Sequence, residues 1–142
     1  MTQPTPPDQP ISRLSTFRSF ATDWKREVRE HAETVNEGLS RPGALTDGHV
    51  ARIKSDCDER VGDLDMFEGQ AARWSALPDL SESRRSGVKE LTDDLAEIRR
   101  LNDQIRDTAA LLERATLEQQ MSVPDVEWGI AAVLGEQLPP RF

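Results

Sequence analysis

Apolar residues recur at steps of three and four over three long stretches of this chain. In the last stretch Val88, Leu91, Leu95, Ile98, Asn102, Ile105, Ala109, Leu112, Thr116 and Gln119 fall on one line. Residues spaced in this way share a narrow seam of a helix, the pattern of a coiled coil. The first stretch gives Leu14, Phe17, Ala21, Trp24, Val28, His31 and Val35, with Phe20 widening the apolar face. The middle stretch gives Val50, Ile53, Cys57, Val61, Leu64, Phe67, Ala71 and Trp74.

Stop and start signals set the limits of each element. The first helix is expected from Ile11 or Ser12 to about Leu39, closed by Gly38 and Arg41-Pro42-Gly43. The second is expected from about Thr46 to Ala76. Gly62 and Gly69 weaken it by roughly 1 kcal/mol each relative to Ala. They share a face off the stripe, which is either open to solvent or approached by another backbone, and Gly62-Asp63 is where this helix would break. Leu77-Pro78-Asp79 makes the next turn, and Asp79 with Glu82 has the spacing of a capping box that places Asp79 at the N-cap. The third helix then runs from about Leu80 to Met121, roughly 60 Å at ~1.5 Å per residue, and outruns its neighbours. Ser122-Val123-Pro124-Asp125 reads as a stop and a restart. A short helix from Pro124 to about Gly135 would carry Val126, Ile130, Val133 and Leu134 on one side, ahead of an extended tail ending in Phe142.

The expected fold is therefore all-α. It is an antiparallel three-helix bundle with coiled-coil-like heptads, a long third helix and a short C-terminal fourth helix, since short turns make successive helices antiparallel. Residues 1–10 form a flexible Pro-rich tail, residues 11–122 the bundle, and residues 123–142 the short amphipathic helix and extended tail.

Composition agrees with long helices that bury one face each. Hydrophobic residues make up 36% and charged residues 31%, and aromatics only 5% with no Tyr, too few large β-formers for a sheet core. The net charge of −8 removes the usual basis of nucleic-acid binding and of adhesion to anionic membranes. The acidic excess is concentrated in residues 40–79, with five basic against eight acidic side chains, a surface that would favour a basic partner. Cys57 is the only cysteine, so no disulfide can form within the chain, which suits a reducing compartment. No apolar run approaches the roughly 20 residues of a membrane span, and MTQPTPPDQP lacks the features of a secretory signal. The expected location is cytoplasmic, with signal-less export left open.

The tail holds Pro4-x-x-Pro7 and Pro7-x-x-Pro10, the spacing that SH3-type grooves read, although no basic residue flanks them closely. Catalytic chemistry is not signalled. Cys57, His31 and His49 form no local nucleophile–base arrangement. The Glu-x-x-His spacing of carboxylate-bridged metal sites is missing, because Val28 stands three before His31. The acidic run around Asp56 does not place a glycine where a calcium loop needs one. No catalytic, cofactor-binding or metal-binding residue is assigned.

Over residues 11–121, three heptad helices with Trp24 in the first resemble a spectrin-type repeat, or the N-terminal bundle of a membrane-fusion syntaxin. The resemblance is one of periodicity, which any antiparallel bundle shares, and no residue role is carried over from it.

The function expected is a non-catalytic protein–protein interaction module: an adaptor, scaffold or assembly subunit whose partner is another protein or a second copy. The alternatives are a client-specific chaperone or regulator using the acidic surface, and a small helical enzyme or metal carrier. The candidate contact residues are Asn102, Leu111, Leu117, Met121, Trp128, Ile130 and Phe142. Ala110, Leu111, Leu117 and Met121 form a second apolar patch on the third helix, and a helix with two apolar faces has two neighbours. Asn102 would set register and partner number if the seam were shared between two chains.

Overall fold

The computed structural model describes residues 8–41, 43 and 45–121, with the side chains of residues 116–121 excepted. Three helices pack against one another, α1 (Leu14–Ser40), α2 (Asp47–Ser75) and α3 (Glu82–Met121), and a single 3-10 turn (Ile11–Arg13) leads into α1. No strand is present among the described residues. The expected fourth helix at residues 124–135 lies outside them.

Each boundary has a local cause. Thr46 caps α2: its hydroxyl accepts from the His49 backbone N–H at 3.2 Å, while the His49 ring Nδ1 accepts from the Thr46 backbone N–H at 3.2 Å. The imidazole thus takes the part usually played by Glu or Gln in a capping box. At the start of α3 the expected cap is corrected. Ser81, not Asp79, holds the first turn, its hydroxyl accepting from the Arg84 N–H at 3.2 Å. The helix begins at Glu82, two residues beyond the expected Leu80, because the N-cap oxygen must sit three residues ahead of the N–H it serves. The chain leaves α1 through Gly43, whose φ of 85° is the left-handed conformation that residues with a Cβ avoid.

α2 does not break at Gly62 but runs unbroken to Ser75. A Cβ placed on Gly62 would meet nothing within 4 Å, so this glycine faces open space. At Gly69 the nearest atom is the guanidinium of Arg73, a neighbour on the same helix. Neither position is approached by another backbone.

The seam read from the sequence is the core. Val88, Leu91, Leu95, Ile98, Asn102, Ile105, Ala109 and Leu112 of α3 are all buried. They meet Leu14, Ala21, Val28 and Val35 of α1 and Val50, Ile53, Cys57, Leu64, Ala71 and Trp74 of α2. The buried face of α3 is wider than one seam, since Leu101 and Thr108 are enclosed as well. A helix lying against two others must present two adjoining stripes.

Ion pairs tie the helices together. Between α1 and α3, Arg18 pairs with Glu90 and Lys25 with Asp94 at 2.7 Å. Between α2 and α3, Arg99 reaches Asp65 at 2.7 Å, Arg106 reaches Asp58 at 2.6 Å and Lys54 reaches Glu113 at 2.7 Å. Apart from the part-buried Lys25–Asp94 pair these are substantially solvated and contribute about 0–1 kcal/mol each, which makes them minor sources of stability. Close approach of α1 to α3 depends on Gly87: a Cβ there would lie 3.0 Å from the Leu14 side chain.

Candidate functional site

Three helix faces carry features beyond simple core formation. The first is a polar insert at mid-bundle. Asn102 is fully buried on α3, and its Nδ2 donates to the Cys57 carbonyl at 3.1 Å. Its Oδ1 accepts from Arg60 Nη1 at 2.7 Å. The other arm of the guanidinium, Nη2, lies 3.3 Å from His31 Nδ1 on α1. One guanidinium therefore joins a residue of α1 to a residue of α3. Burial, followed by the neighbouring Arg60 charge, holds the His31 pKa below its usual value, which favours the neutral ring. A neutral ring with its proton on Nε2 can accept from Arg60 through Nδ1. Burial also raises the Cys57 thiol pKa above its ordinary value, so the sulfur stays protonated and acts as a small apolar filler. No buried side-chain nitrogen or oxygen among the described residues is left without a partner.

Asn102 thus has its polar groups engaged inside one chain, on Cys57 and Arg60, and offers no surface to a second. In the single chain Asn102 is a core residue, with none of its surface exposed.

The second feature is a layer of five aromatic rings between α1 and α2. Phe67 is its centre, with centroids 5.1 Å from Phe17, 5.2 Å from Phe20 and 5.6 Å from Trp24. Phe17 in turn meets Trp74 edge-on at 4.9 Å. Phe17, Phe20 and Trp24 recur at steps of three and four, so α1 aims all three at one neighbour. Phe20 closes the layer on the outside and remains 51% exposed, stacked on Phe67. The sequence showed Phe20 only as a widening of the apolar stripe.

The third feature is the far end of the bundle. A Cβ on Gly38 would lie 3.7 Å from Leu112, which sets the end of α1 level with that turn of α3. Lys54 and Glu113 do the same for the start of α2. The α3 backbone continues to Met121, roughly 12 Å further at ~1.5 Å per residue. Leu39 on α1 and Leu111 on α3, both at this end, are 40% and 46% exposed. A surface groove of ≈ 350 Å³ between the start of α2 and α3 is lined by Asp47, Val50, Ala51, Lys54 and Glu113. Of the expected contact residues Leu111 is the one placed on the surface. Leu117 and Met121 lie in α3 with side chains outside the description, and Trp128, Ile130 and Phe142 lie outside the described residues.

The acidic middle segment is partly neutralised within the chain. Asp58 pairs with Arg106, and Asp65 and Glu68 both pair with Arg99. Among the described residues no group of three or more His, Cys, Asp or Glu is placed to hold a metal ion. No described helix is long and apolar enough to cross a membrane. The chain matches no protein-family model, no curated protein and no solved structure.

Proposed function

We propose that this chain is a non-catalytic interaction module that binds through helix packing, acting as an adaptor, scaffold or assembly subunit. Its complete architecture, on this reading, is an antiparallel up-down-up bundle with a short fourth helix after α3. The supporting observation is the pair of exposed leucines, Leu39 and Leu111, at the end where α3 outruns α1 and α2 among the described residues. Exposed apolar side chains at such an end invite a partner helix. The partner is another protein or a second copy of this chain. The cytoplasmic setting belongs to the same proposal and is supported by the single cysteine, which is free and buried.

The chaperone or regulator reading through an acidic surface is weaker. Asp58, Asp65 and Glu68 are already engaged by arginines of α3, which lowers the charge left for a basic client.

The test is the molar mass in solution by light scattering over a dilution series, for the parent chain and for Leu111→Glu, Leu117→Glu and Ile130→Glu. A dimer that survives dilution and is dissociated by Leu111→Glu, with helicity unchanged, supports the reading. For a monomer near 15.9 kDa, a co-purifying partner must be lost with the same substitutions. Binding that is indifferent to all three substitutions, or helicity that collapses with them, overturns it.

A further inference from the structure

A different site lies at the opposite end, where the chain enters the bundle. Asp8, Gln9 and Pro10 precede the first turn and lie in extended form across the last turns of α2. Pro10 has φ −66° and ψ 149°, the polyproline II conformation. Three α2 side chains grip this segment. Trp74 Nε1 donates to the Gln9 carbonyl at 2.8 Å. The Gln9 N–H donates to Gln70 Oε1 at 2.8 Å. Gln70 Nε2 and Arg73 Nε donate to Asp8 Oδ1 at 2.9 and 2.8 Å.

Gln70 and Trp74 are 3% and 2% exposed, so their polar groups have little access to water while the segment is in place. Arg73 Nη2 donates to Gln70 Oε1 at 3.4 Å and steadies the carboxamide. Trp74 is braced from behind by Phe17. What the three side chains read is also specific. They take both backbone groups of the middle residue and the carboxylate of the residue before it, and the proline that follows has no N–H left to satisfy. The side chain of the middle residue is not read. An indole N–H bonded to the carbonyl ahead of a proline, in polyproline II geometry, is a way of binding an extended peptide, not a way of capping a helix.

We infer that Gln70, Arg73 and Trp74 form a recognition site for an extended acid–X–Pro peptide, filled in the free chain by Asp8-Gln9-Pro10 acting as an intramolecular pseudo-ligand. The ligand class is an acid–X–Pro segment of another protein. Being joined directly to α1, the internal segment is present at high effective concentration, so an external peptide binds with its affinity reduced by the fraction of time the site is open. Weakening the internal segment therefore strengthens external binding. This site is independent of the leucines at the other end, and its test does not depend on them.

The experiment uses a fluorescein-labelled synthetic peptide of residues 2–10 and fluorescence anisotropy with the full chain. Asp8→Ala removes the carboxylate that Arg73 and Gln70 hold, and because that contact is exposed its loss corresponds to about threefold to fivefold in occupancy. The substituted residue is exposed, so the bundle stays folded, which circular dichroism verifies. The expected result is peptide binding about threefold to fivefold tighter to the Asp8→Ala chain than to the parent. Adding Arg73→Glu to that chain should abolish it, and a peptide with Lys in place of Asp8 should restore it. Equal binding by parent and Asp8→Ala chains, no saturable binding by either, or binding that survives Arg73→Glu would overturn the inference.

Discussion

Asn102→Ala tests whether the polar insert holds the bundle together. The side chain is fully buried and makes two hydrogen bonds, one to the Cys57 carbonyl and one from the Arg60 guanidinium. A neutral hydrogen bond is worth about 1 kcal/mol net and a charged one about 1.5–3 kcal/mol. Arg60 is only half-buried and can turn to water, so the lower end applies to it. Lost packing adds about 0.5–1 kcal/mol through the cavity left behind. The expected cost is therefore about 3 kcal/mol, or roughly 10 °C in Tm for a domain of this size. Urea unfolding followed by circular dichroism measures it. In a double-mutant cycle with Arg60→Met, the coupling should be about 1.5 kcal/mol. Asn102→Leu should recover only the packing share, about 0.5–1 kcal/mol, because it fills the seam but loses the same two hydrogen bonds. A loss under about 0.5 kcal/mol for Asn102→Ala, or additive singles in the cycle, would refute the account, since measured pairs that do not interact add to within about that margin.

Stability should fall with acid in a window set by His31. Its folded pKa lies below the unfolded value near 6.5, so its contribution is complete above about pH 6.5 and is lost as pH falls from there toward the folded value. Unfolding midpoints at pH 7 and 5.5 should differ for the parent chain and coincide for His31→Gln. The carboxylates of Asp8 and Glu97, held low chiefly by hydrogen bonds from Arg73 and Arg100, lose their contribution only in more acid solution. Cys57 should resist a thiol reagent such as dithionitrobenzoate in the native chain and react fully in concentrated guanidinium chloride. Rapid native reaction would show that the core at mid-bundle opens. Gly62→Ala should raise stability by about 0.5–1 kcal/mol, since the new methyl group meets open space and the helix gains propensity. Gly38→Ala should gain less than Gly62→Ala, because its Cβ would lie 2.5 Å from Leu45 Cδ1 and that side chain must shift. Calorimetry of the pair checks the order.

Three-four spacing carried most of the architecture, because in long helices each seam position maps directly onto burial. The α3 seam from Val88 to Leu112 is buried throughout, and the ends of α1 and α2 fall within a few residues of the stop signals. Other features were hidden for physical reasons. Two overlapping cap signals at Asp79 and Ser81 look alike until a backbone N–H is in place to choose between them. Arg60 lies beside the α2 stripe, so its reach to Asn102 and His31 depends on a long side chain crossing from the flank, which periodicity does not register. The aromatic layer was half legible, its rings readable on α1 and its centre at Phe67 supplied by a helix some 40 residues away. Least visible was the hold on Asp8 and Gln9, which joins residues more than 60 apart and leaves no repeating trace.

The position of α3 bears on the order in which this protein is made. α1 and α2 each lie along α3 and meet one another chiefly through the aromatic rings. Both are synthesised first, yet the surface on which they lie emerges last. Until residues 82–121 have left the ribosome, Val28, Val35, Val50 and Ile53 have no third wall to close against. Folding should then be a late, concerted event, not a stepwise accretion from the N-terminus, and a nascent chain stalled before α3 would expose two apolar stripes to the cell's chaperones and proteases.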